Sequence, residues 1–196
     1  YIKRKVSTTQ SQKISALDIK GINFLKEYKR FYPKNELAAQ VIGFSGLDNK
    51  GLEGIELTHD RDLRGGTNKF EVVRDGKGNT ILSPKSNYIT KASNGNDIIL
   101  TIDEIIQHHA EIELKKVCEQ YQANDGVIIV MDPKTGEILA SAVAPSYDPN
   151  YFNKYPACQF KNRIITDVFE PGSTFKIITA ATLLKEKLID LDKIYF

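Results

Sequence analysis

The sequence predicts an α+β fold, because a mixed first part is followed by a helix, a pair of strands and a second, apolar helix. Thr101-Ile102-Asp103-Glu104 matches a capping box ahead of apolar residues at helical spacing, which predicts a helix with Thr101 as its N-cap. The apolar run 126–131 predicts a strand buried on both faces, and residues 137–143 predict its partner. The apolar run 177–184 predicts a helix in the middle of a core.

The first half of the chain predicts shorter elements. Residues 21–33 mix β-branched and aromatic side chains between Gly and Pro, which favours a strand or a strand-like extension. Residues 36–42 predict a short helix that ends at Gly43. Residues 70–74 and 80–82 flank the sequence Asp-Gly-Lys-Gly-Asn and predict a β-hairpin.

A polar stretch at residues 85–97, rich in Ser, Asn and Gly, predicts a junction between two modules. We place the first module at residues 1–92 and the second at residues 93–196. A chain of 196 residues is long enough for two small domains.

Composition narrows the classes of function. The net charge of +2 and the lack of a basic stripe argue against nucleic-acid binding. No apolar run approaches the length of a membrane span, and the first residues do not resemble a signal peptide. Cys118 and Cys158 lie far apart without a Cys-x-x-Cys motif, so buried free thiols are favoured over a disulfide.

Paired carboxylates occur at Glu53 and Glu56 and at Asp60 and Asp62. Such pairs can perform acid–base chemistry or bind a cation. No EF-hand spacing or phosphate loop accompanies them, so we favour a solvated or salt-bridged surface. His59 is interpreted as structural or exposed for the same reason.

Metal binding by the predicted helix is disfavoured by the spacing of its histidines. His108 and His109 are adjacent and therefore point to different faces of the helix. A helical zinc pair needs histidines four residues apart. We therefore expect no metal site on this helix.

The strongest candidate for chemistry is Glu170-Pro171-Gly172-Ser173-Thr174-Phe175-Lys176. Pro171 and Gly172 precede a predicted helix start, which places Ser173 and Lys176 three residues apart on one face. A serine nucleophile needs an adjacent base, and a lysine is a base only when neutral, which a helix N-terminus and apolar surroundings favour. Ser-x-x-Lys arises by chance about once in a chain of this length, but the apolar helix that follows is unusual for a surface motif.

This motif resembles the active-site serine motif of class B penicillin-binding proteins, the transpeptidases that cross-link peptidoglycan. Asn162-Arg163, just ahead of the motif, also fits. The resemblance covers most of the chain in the right order. Further matching stretches are residues 130–140 and 145–150 near the motif, and residues 30–33, 38–43 and 51–56 in the family's pedestal module.

The resemblance implies a division-type peptidoglycan D,D-transpeptidase, with a mixed pedestal followed by the first part of a transpeptidase α/β sandwich. It implies Ser173 as the nucleophile that is acylated, Lys176 as the general base, and no metal or cofactor. The implied ligands are stem peptides and β-lactams, and the implied partners are other cell-wall or division proteins. The implied location is the bacterial inner membrane, with the catalytic part on its outer side.

The sequence departs from the family pattern in two ways. Lys134-Thr135-Gly136 spells a family motif, but it precedes the serine and lies in a predicted turn, so we reject it as catalytic. The family's Ser-x-Asn and later Lys-Thr-Gly motifs do not follow Ser173. We therefore expect this chain to be a fragment without its anchor, inactive alone, and with exposed apolar surface.

Two other functions remain open at this point. The chain could belong to a β-lactam-binding sensor that keeps the serine helix, or to a non-catalytic scaffold for cell-wall assembly. Arg163 and Glu170, on either side of the approach to Ser173, could position substrate or brace the loop. We favour bracing, because a precise site needs supporting contacts.

Overall fold

A computed structural model describes the conformation of most of the chain. It divides into two compact units, Tyr1–Ile164 and Ile165–Phe196. The residues that it describes are 2–25, 27–66, 69–70, 73–74, 76, 80–81, 88–90, 94–190 and 192. The predicted junction at residues 85–97 falls partly outside these residues and stays a prediction.

The first part of the first unit consists of short elements. The helices are α1 (Thr8–Ser15), α2 (Ala39–Ile42), α3 (Gly54–Thr58) and α4 (Asp60–Arg64), and the strands are β1 (Lys69–Phe70), β2 (Val73–Arg74), β3 (Thr80–Ile81) and β4 (Tyr88–Thr90).

The short predicted elements have different outcomes. Strand β2 pairs antiparallel with β3, which confirms the predicted hairpin, although residues 75 and 77–79 of its loop lie outside the described part. Strand β1 pairs antiparallel with β4. Helix α2 ends at Gly43 as predicted but begins only at Ala39. The described residues between 21 and 33 contain no helix or regular strand.

The long helix α5 (Glu104–Tyr121) begins two residues later than the capping box predicted. Its N-cap is Asp103, whose carboxylate accepts hydrogen bonds from the N–H groups of Ile105 and Ile106, each at 2.9 Å. Thr101 is therefore not the cap, and its hydroxyl donates instead to the carbonyl of Ile138 at 2.6 Å. An aspartate is as good an N-cap as a threonine, so the local sequence allowed both registers.

Strands β5 (Gly126–Met131) and β6 (Ile138–Ala144) form an antiparallel hairpin that packs on α5. Ala140 and Ala142 on β6 are fully buried against Ala110 and Leu114 of the helix. The prediction that residues 126–131 are buried on both faces is wrong for the described residues. Val127, Ile129 and Met131 are 46%, 51% and 55% exposed, because only the other face of β5 contacts α5.

A cluster of aromatic rings joins two distant stretches of the first unit. Phe44 stacks on Phe152 with ring centroids 4.2 Å apart, and it meets Phe160 edge-on at 4.8 Å. Tyr147 is fully buried and packs edge-on against Phe44 and Phe160. Offset and edge-on ring pairs stabilise by about 0.5–1.5 kcal/mol each beyond the buried area.

Hydrogen bonds hold the same two stretches together. The side-chain amide of Asn150 donates to the carbonyl of Tyr32 at 2.8 Å and accepts from the N–H of Tyr32 at 3.0 Å. The hydroxyl of Tyr147 donates to the carbonyl of Ala39 at 3.0 Å. Gln40 donates to the carbonyl of Pro145 at 3.2 Å. Residues 32–44 and 145–160 therefore share one core.

The rest of the chain contains short helices and one longer helix. Two 3₁₀ helices, Pro149–Lys154 and Ala157–Gln159, precede α6 (Arg163–Thr166). In the second unit a 3₁₀ turn, Gly172–Phe175, leads directly into α7 (Lys176–Lys185). Among the described residues, no helix has the length and apolar character needed to span a bilayer.

Removal of the Tyr147 hydroxyl tests the importance of this shared core. We expect Tyr147→Phe to lower the free energy of unfolding by about 1 kcal/mol, because the buried carbonyl of Ala39 loses one of its two donors and keeps only the N–H of Gly43. Urea unfolding followed by circular dichroism measures the change. Tyr151→Phe is the control, because Tyr151 is 53% exposed. Equal losses in both variants would contradict the assigned role of Tyr147.

Candidate active site

Ser173 and Lys176 lie where a short 3₁₀ turn becomes helix α7. Ser173 lies in the turn Gly172–Phe175, and Lys176 is the first residue of α7. The backbone N–H of Lys176 donates to the carbonyls of Ser173 and Thr174, so the turn and the helix are continuous. The structure therefore has a helix start at this serine, as the sequence predicted.

The side chains of Ser173 and Lys176 are both exposed. Within the described part of the chain, no hydrogen bond links the Ser173 hydroxyl with the Lys176 ammonium group. Catalytic hydrogen bonds are often long or poorly aligned before substrate binds, so this geometry leaves the predicted pair possible. The apolar surroundings predicted for Lys176 are not supplied by any described residue.

The backbone around Ser173 has two features that suit catalysis. The N–H of Ser173 has no acceptor among the described residues, so it can donate to a developing oxyanion. Gly172 has φ +55°, a left-handed conformation that a side chain disfavours. Thr174 closes the turn, because its hydroxyl and its N–H both donate to the carbonyl of Pro171.

Helix α7 has no buried residue among those described. Large apolar side chains along it and before it are exposed, including Ile177 at 73%, Phe175 at 52% and Phe169 at 82%. The predicted burial of this helix in a core is thus absent from the described residues, whereas the expected exposed apolar surface is present.

Arg163, which precedes the serine motif, contacts another part of the first unit. Arg163 forms an ion pair at 3.3 Å with Asp125, which lies in the turn between α5 and β5. This contact supports the bracing interpretation of Arg163. Asp125 could not be predicted as its partner from the sequence, because the two residues lie far apart and no local spacing connects them. Glu170 is exposed, and no contact among the described residues identifies its role.

Lys134-Thr135-Gly136 forms the turn between β5 and β6, as the sequence predicted. The carbonyl of Asp132 accepts from the N–H of Gly136 at 2.8 Å, and its carboxylate accepts from the N–H of Lys134 at 2.7 Å. These bonds define a tight turn that also explains the positive φ of Gly136.

Three of the four carboxylates of the acidic pairs in the first half contact a basic side chain, which agrees with the salt-bridged interpretation. Glu56 accepts from Arg30 at 2.6 Å, Asp60 contacts Arg64 at 3.3 Å, and Asp62 contacts His59 at 3.3 Å. Among the described residues, no group of three or more His, Cys, Asp or Glu side chains could hold a metal ion.

Both cysteines are free, so no disulfide joins them. Cys118, on α5, is half-buried and packs against the core that α5 forms with β6. The prediction of a buried thiol is wrong for Cys158, which is exposed in the 3₁₀ helix Ala157–Gln159.

Two family models match consecutive parts of the chain. The dimerisation domain of penicillin-binding proteins matches residues 1–100, about half of the chain. The penicillin-binding protein transpeptidase domain matches residues 126–196. The chain belongs to the penicillin-binding protein family. Residues 126–196 include both Ser173 and Lys176.

Curated relatives match this penicillin-binding protein over nearly its whole length. It is 41% identical over 193 residues to a probable peptidoglycan D,D-transpeptidase, PenA, of Neisseria meningitidis, covering 98% of this chain and 33% of the relative. It is 35% identical over 189 residues to the peptidoglycan D,D-transpeptidase FtsI of Escherichia coli K12, covering 96% and 32%. The chain thus spans about a third of these relatives.

Solved structures support the α+β fold. A peptidoglycan synthetase from Bifidobacterium adolescentis superposes with a TM-score of 0.70 at 27% identity, over 97% of this chain and 35% of that chain. Penicillin-binding protein 3 from Mycobacterium tuberculosis, complexed with ampicillin, superposes with a TM-score of 0.67 at 30% identity, over 84% and 33%. The predicted fold class, a partial transpeptidase domain after a mixed module, is confirmed.

Gly172 offers a test of the backbone at the helix start. An added Cβ would meet nothing within 4 Å, so Gly172→Ala changes only the backbone preference, by roughly 1–2 kcal/mol. We expect faster amide exchange across residues 172–176, measured by hydrogen-exchange mass spectrometry. Gly136→Ala is the matched control, because Gly136 also has positive φ and open space around it. This substitution should leave the exchange of residues 172–176 unchanged. Unchanged exchange in Gly172→Ala would contradict this reasoning.

Proposed function

We propose that this chain supplies the serine nucleophile of a peptidoglycan D,D-transpeptidase, an enzyme that cross-links stem peptides through a serine acyl-enzyme. The observation that carries the proposal is the position of Ser173 and Lys176 at the start of a helix, inside the stretch that matches the transpeptidase domain. The curated relatives with this activity in their names support the same class of reaction.

In the proposed acylation, Ser173 Oγ attacks a peptide carbonyl carbon of the donor stem peptide. The hydroxyl proton passes to the neutral amine of Lys176, and an O–C bond forms. The N–H of Ser173 donates to the resulting oxyanion, where one well-placed donor is worth about 10²–10³ in rate. The C–N bond then breaks, and the terminal amino acid leaves as an amine that takes up a proton.

The second half of the proposed reaction transfers the acyl group. An amine of a second stem peptide attacks the ester carbonyl, loses its proton to a base, and releases Ser173. By resemblance to the family, the donor ends in D-Ala-D-Ala. A β-lactam mimics this end and leaves a stable acyl-enzyme at Ser173. No metal or cofactor takes part in the proposed steps.

The proposal assigns separate roles to the two modules. Residues 1–92 form a non-catalytic pedestal, and residues 93–196 form the first part of the transpeptidase domain, in a longer membrane-anchored polypeptide. Its proposed place is the outer side of the bacterial inner membrane, in septal cell-wall synthesis with other division proteins. The match of residues 1–100 to the dimerisation domain supports the first role.

Intact mass after incubation with a penicillin tests the nucleophile. We expect the longer polypeptide to gain the mass of one penicillin. Ser173→Ala should gain none, and Lys176→Arg should acylate at least about 10²-fold more slowly, because an arginine cannot accept the proton. Lys185→Ala, in the last turn of the same helix, is the control and should acylate normally.

The outcomes separate the proposed enzyme from its alternatives. Acylation at Ser173 together with cross-linking of stem peptides supports the transpeptidase. Acylation without cross-linking would indicate a β-lactam sensor. If neither the wild-type protein nor the Lys185→Ala control is acylated, the proposal fails, and a scaffold role becomes the better account.

A further inference from the structure

A single carboxylate connects α5 to the stretch that contains Ala38. Oε1 of Glu111, on α5, accepts a hydrogen bond from the backbone N–H of Ala38 at 2.8 Å. The two residues lie 73 positions apart, and Ala38 belongs to the stretch that matches the dimerisation domain. Ala38 has φ 52° and ψ 30°, a left-handed conformation that costs an L-residue about 1 kcal/mol or more. The bond therefore helps to hold an unfavourable backbone.

The same oxygen is fixed from the other side by a fully buried glutamine. Gln107 donates to Oε1 of Glu111 at 2.7 Å and to the carbonyl of Ser141 at 3.1 Å. Its own oxygen accepts from the N–H of Ser141 at 2.7 Å. A chain of hydrogen bonds thus runs from strand β6, through Gln107 and Glu111, to Ala38.

The second oxygen of Glu111 is available for a proton. The bonds from Gln107 and Ala38 both use Oε1, and within the described residues Oε2 has no hydrogen-bond partner. Glu111 lines a groove of about 1190 Å³ that also contacts residues 34–37. A proton on Oε2 would leave Oε1 as a neutral carbonyl oxygen that can still accept both bonds, although each is weaker than a bond to a carboxylate.

Charged and titratable side chains from several elements line the same groove as Glu111. His108, Lys115 and Glu119 lie on the same helix. Lys34 and Glu36 come from the stretch before Ala38, and Asp125 and Asp148 also line the groove. Three of these are already engaged, since Lys34 pairs with Glu104, Asp125 pairs with Arg163, and Asp148 accepts from Asn150.

We propose that Glu111 is a proton-controlled latch, which holds the stretch containing Ala38 more tightly against α5 when its carboxyl group is protonated. This device is separate from the chemistry proposed for Ser173 and does not depend on it.

The partial burial of the Glu111 carboxyl group supports tighter closure of the latch in the protonated form. Desolvation raises the pKa of Glu111 above its ordinary value of 4.5, and the nearby charge of Glu36 acts in the same direction. The bonds from Gln107 and Ala38 and the charge of His108 oppose this rise without cancelling it. The closed latch thus binds a proton more tightly than the open, solvated one. By linkage, the latch is tightest below 4.5 and loosens as the pH rises through the raised pKa.

Amide hydrogen exchange of Ala38 in the full chain tests the latch. After correction for intrinsic exchange, we expect its protection to fall as the pH rises from 4 to 8 through the raised pKa of Glu111. Glu111→Gln keeps an acceptor oxygen without a charge, so its protection should be high and independent of pH. Glu111→Ala removes the acceptor, so its protection should be low throughout.

Matched variants distinguish Glu111 from its neighbours. His108→Gln should keep the slope of the wild type, and so should Glu113→Gln, an exposed carboxylate on the same helix. A flat wild-type profile, or a slope that persists in Glu111→Gln or vanishes in His108→Gln, overturns the proposal. An NMR titration of the ¹³C signal of the Glu111 carboxyl group tests the latch without any variant. A titration midpoint at or below pH 4.5 would also overturn the proposal.

Discussion

The packing of Tyr147 is the interaction on which the described fold depends most. Its ring packs edge-on against both Phe44 and Phe160, and its hydroxyl donates to the carbonyl of Ala39. Through these contacts, a loop rich in Pro, Asn and Tyr becomes part of a hydrophobic core. Because a buried aromatic side chain contributes several kcal/mol, residues 32–44 and 145–160 are expected to fold together. Residues from both family matches therefore pack in the same core.

The serine site depends on a different kind of constraint. The turn at Gly172 and the start of α7 are held by bonds between residues at most four apart, and no described residue buries them. A helix with exposed Phe175 and Ile177 gains little from packing. The position of Ser173 relative to Lys176 thus follows from local backbone geometry, whereas catalytic power needs donors and apolar walls that local geometry cannot supply.

This difference explains which features the sequence could predict. The start of α7, the β5–β6 turn and the β2–β3 hairpin follow from local patterns, because a few consecutive residues determine them. Gln107 and Glu111 gave no such signal, since their partners lie 34 and 73 residues away. The N-cap of α5 was misplaced because both Thr101 and Asp103 are good caps, and only the contact between Thr101 and Ile138 decides between them.

The hydrogen bonds of Glu111 do not by themselves explain why a glutamate occupies this position. A glutamine would satisfy the N–H of Ala38 and the amide of Gln107 equally well, without the cost of burying a charge. Stability alone would therefore favour the neutral side chain at neutral pH. A carboxylate at this position adds one property that a glutamine lacks, which is a response to protons at the contact between α5 and the stretch containing Ala38. The partly buried charge of Glu111 thus makes that contact adjustable at a modest loss of stability.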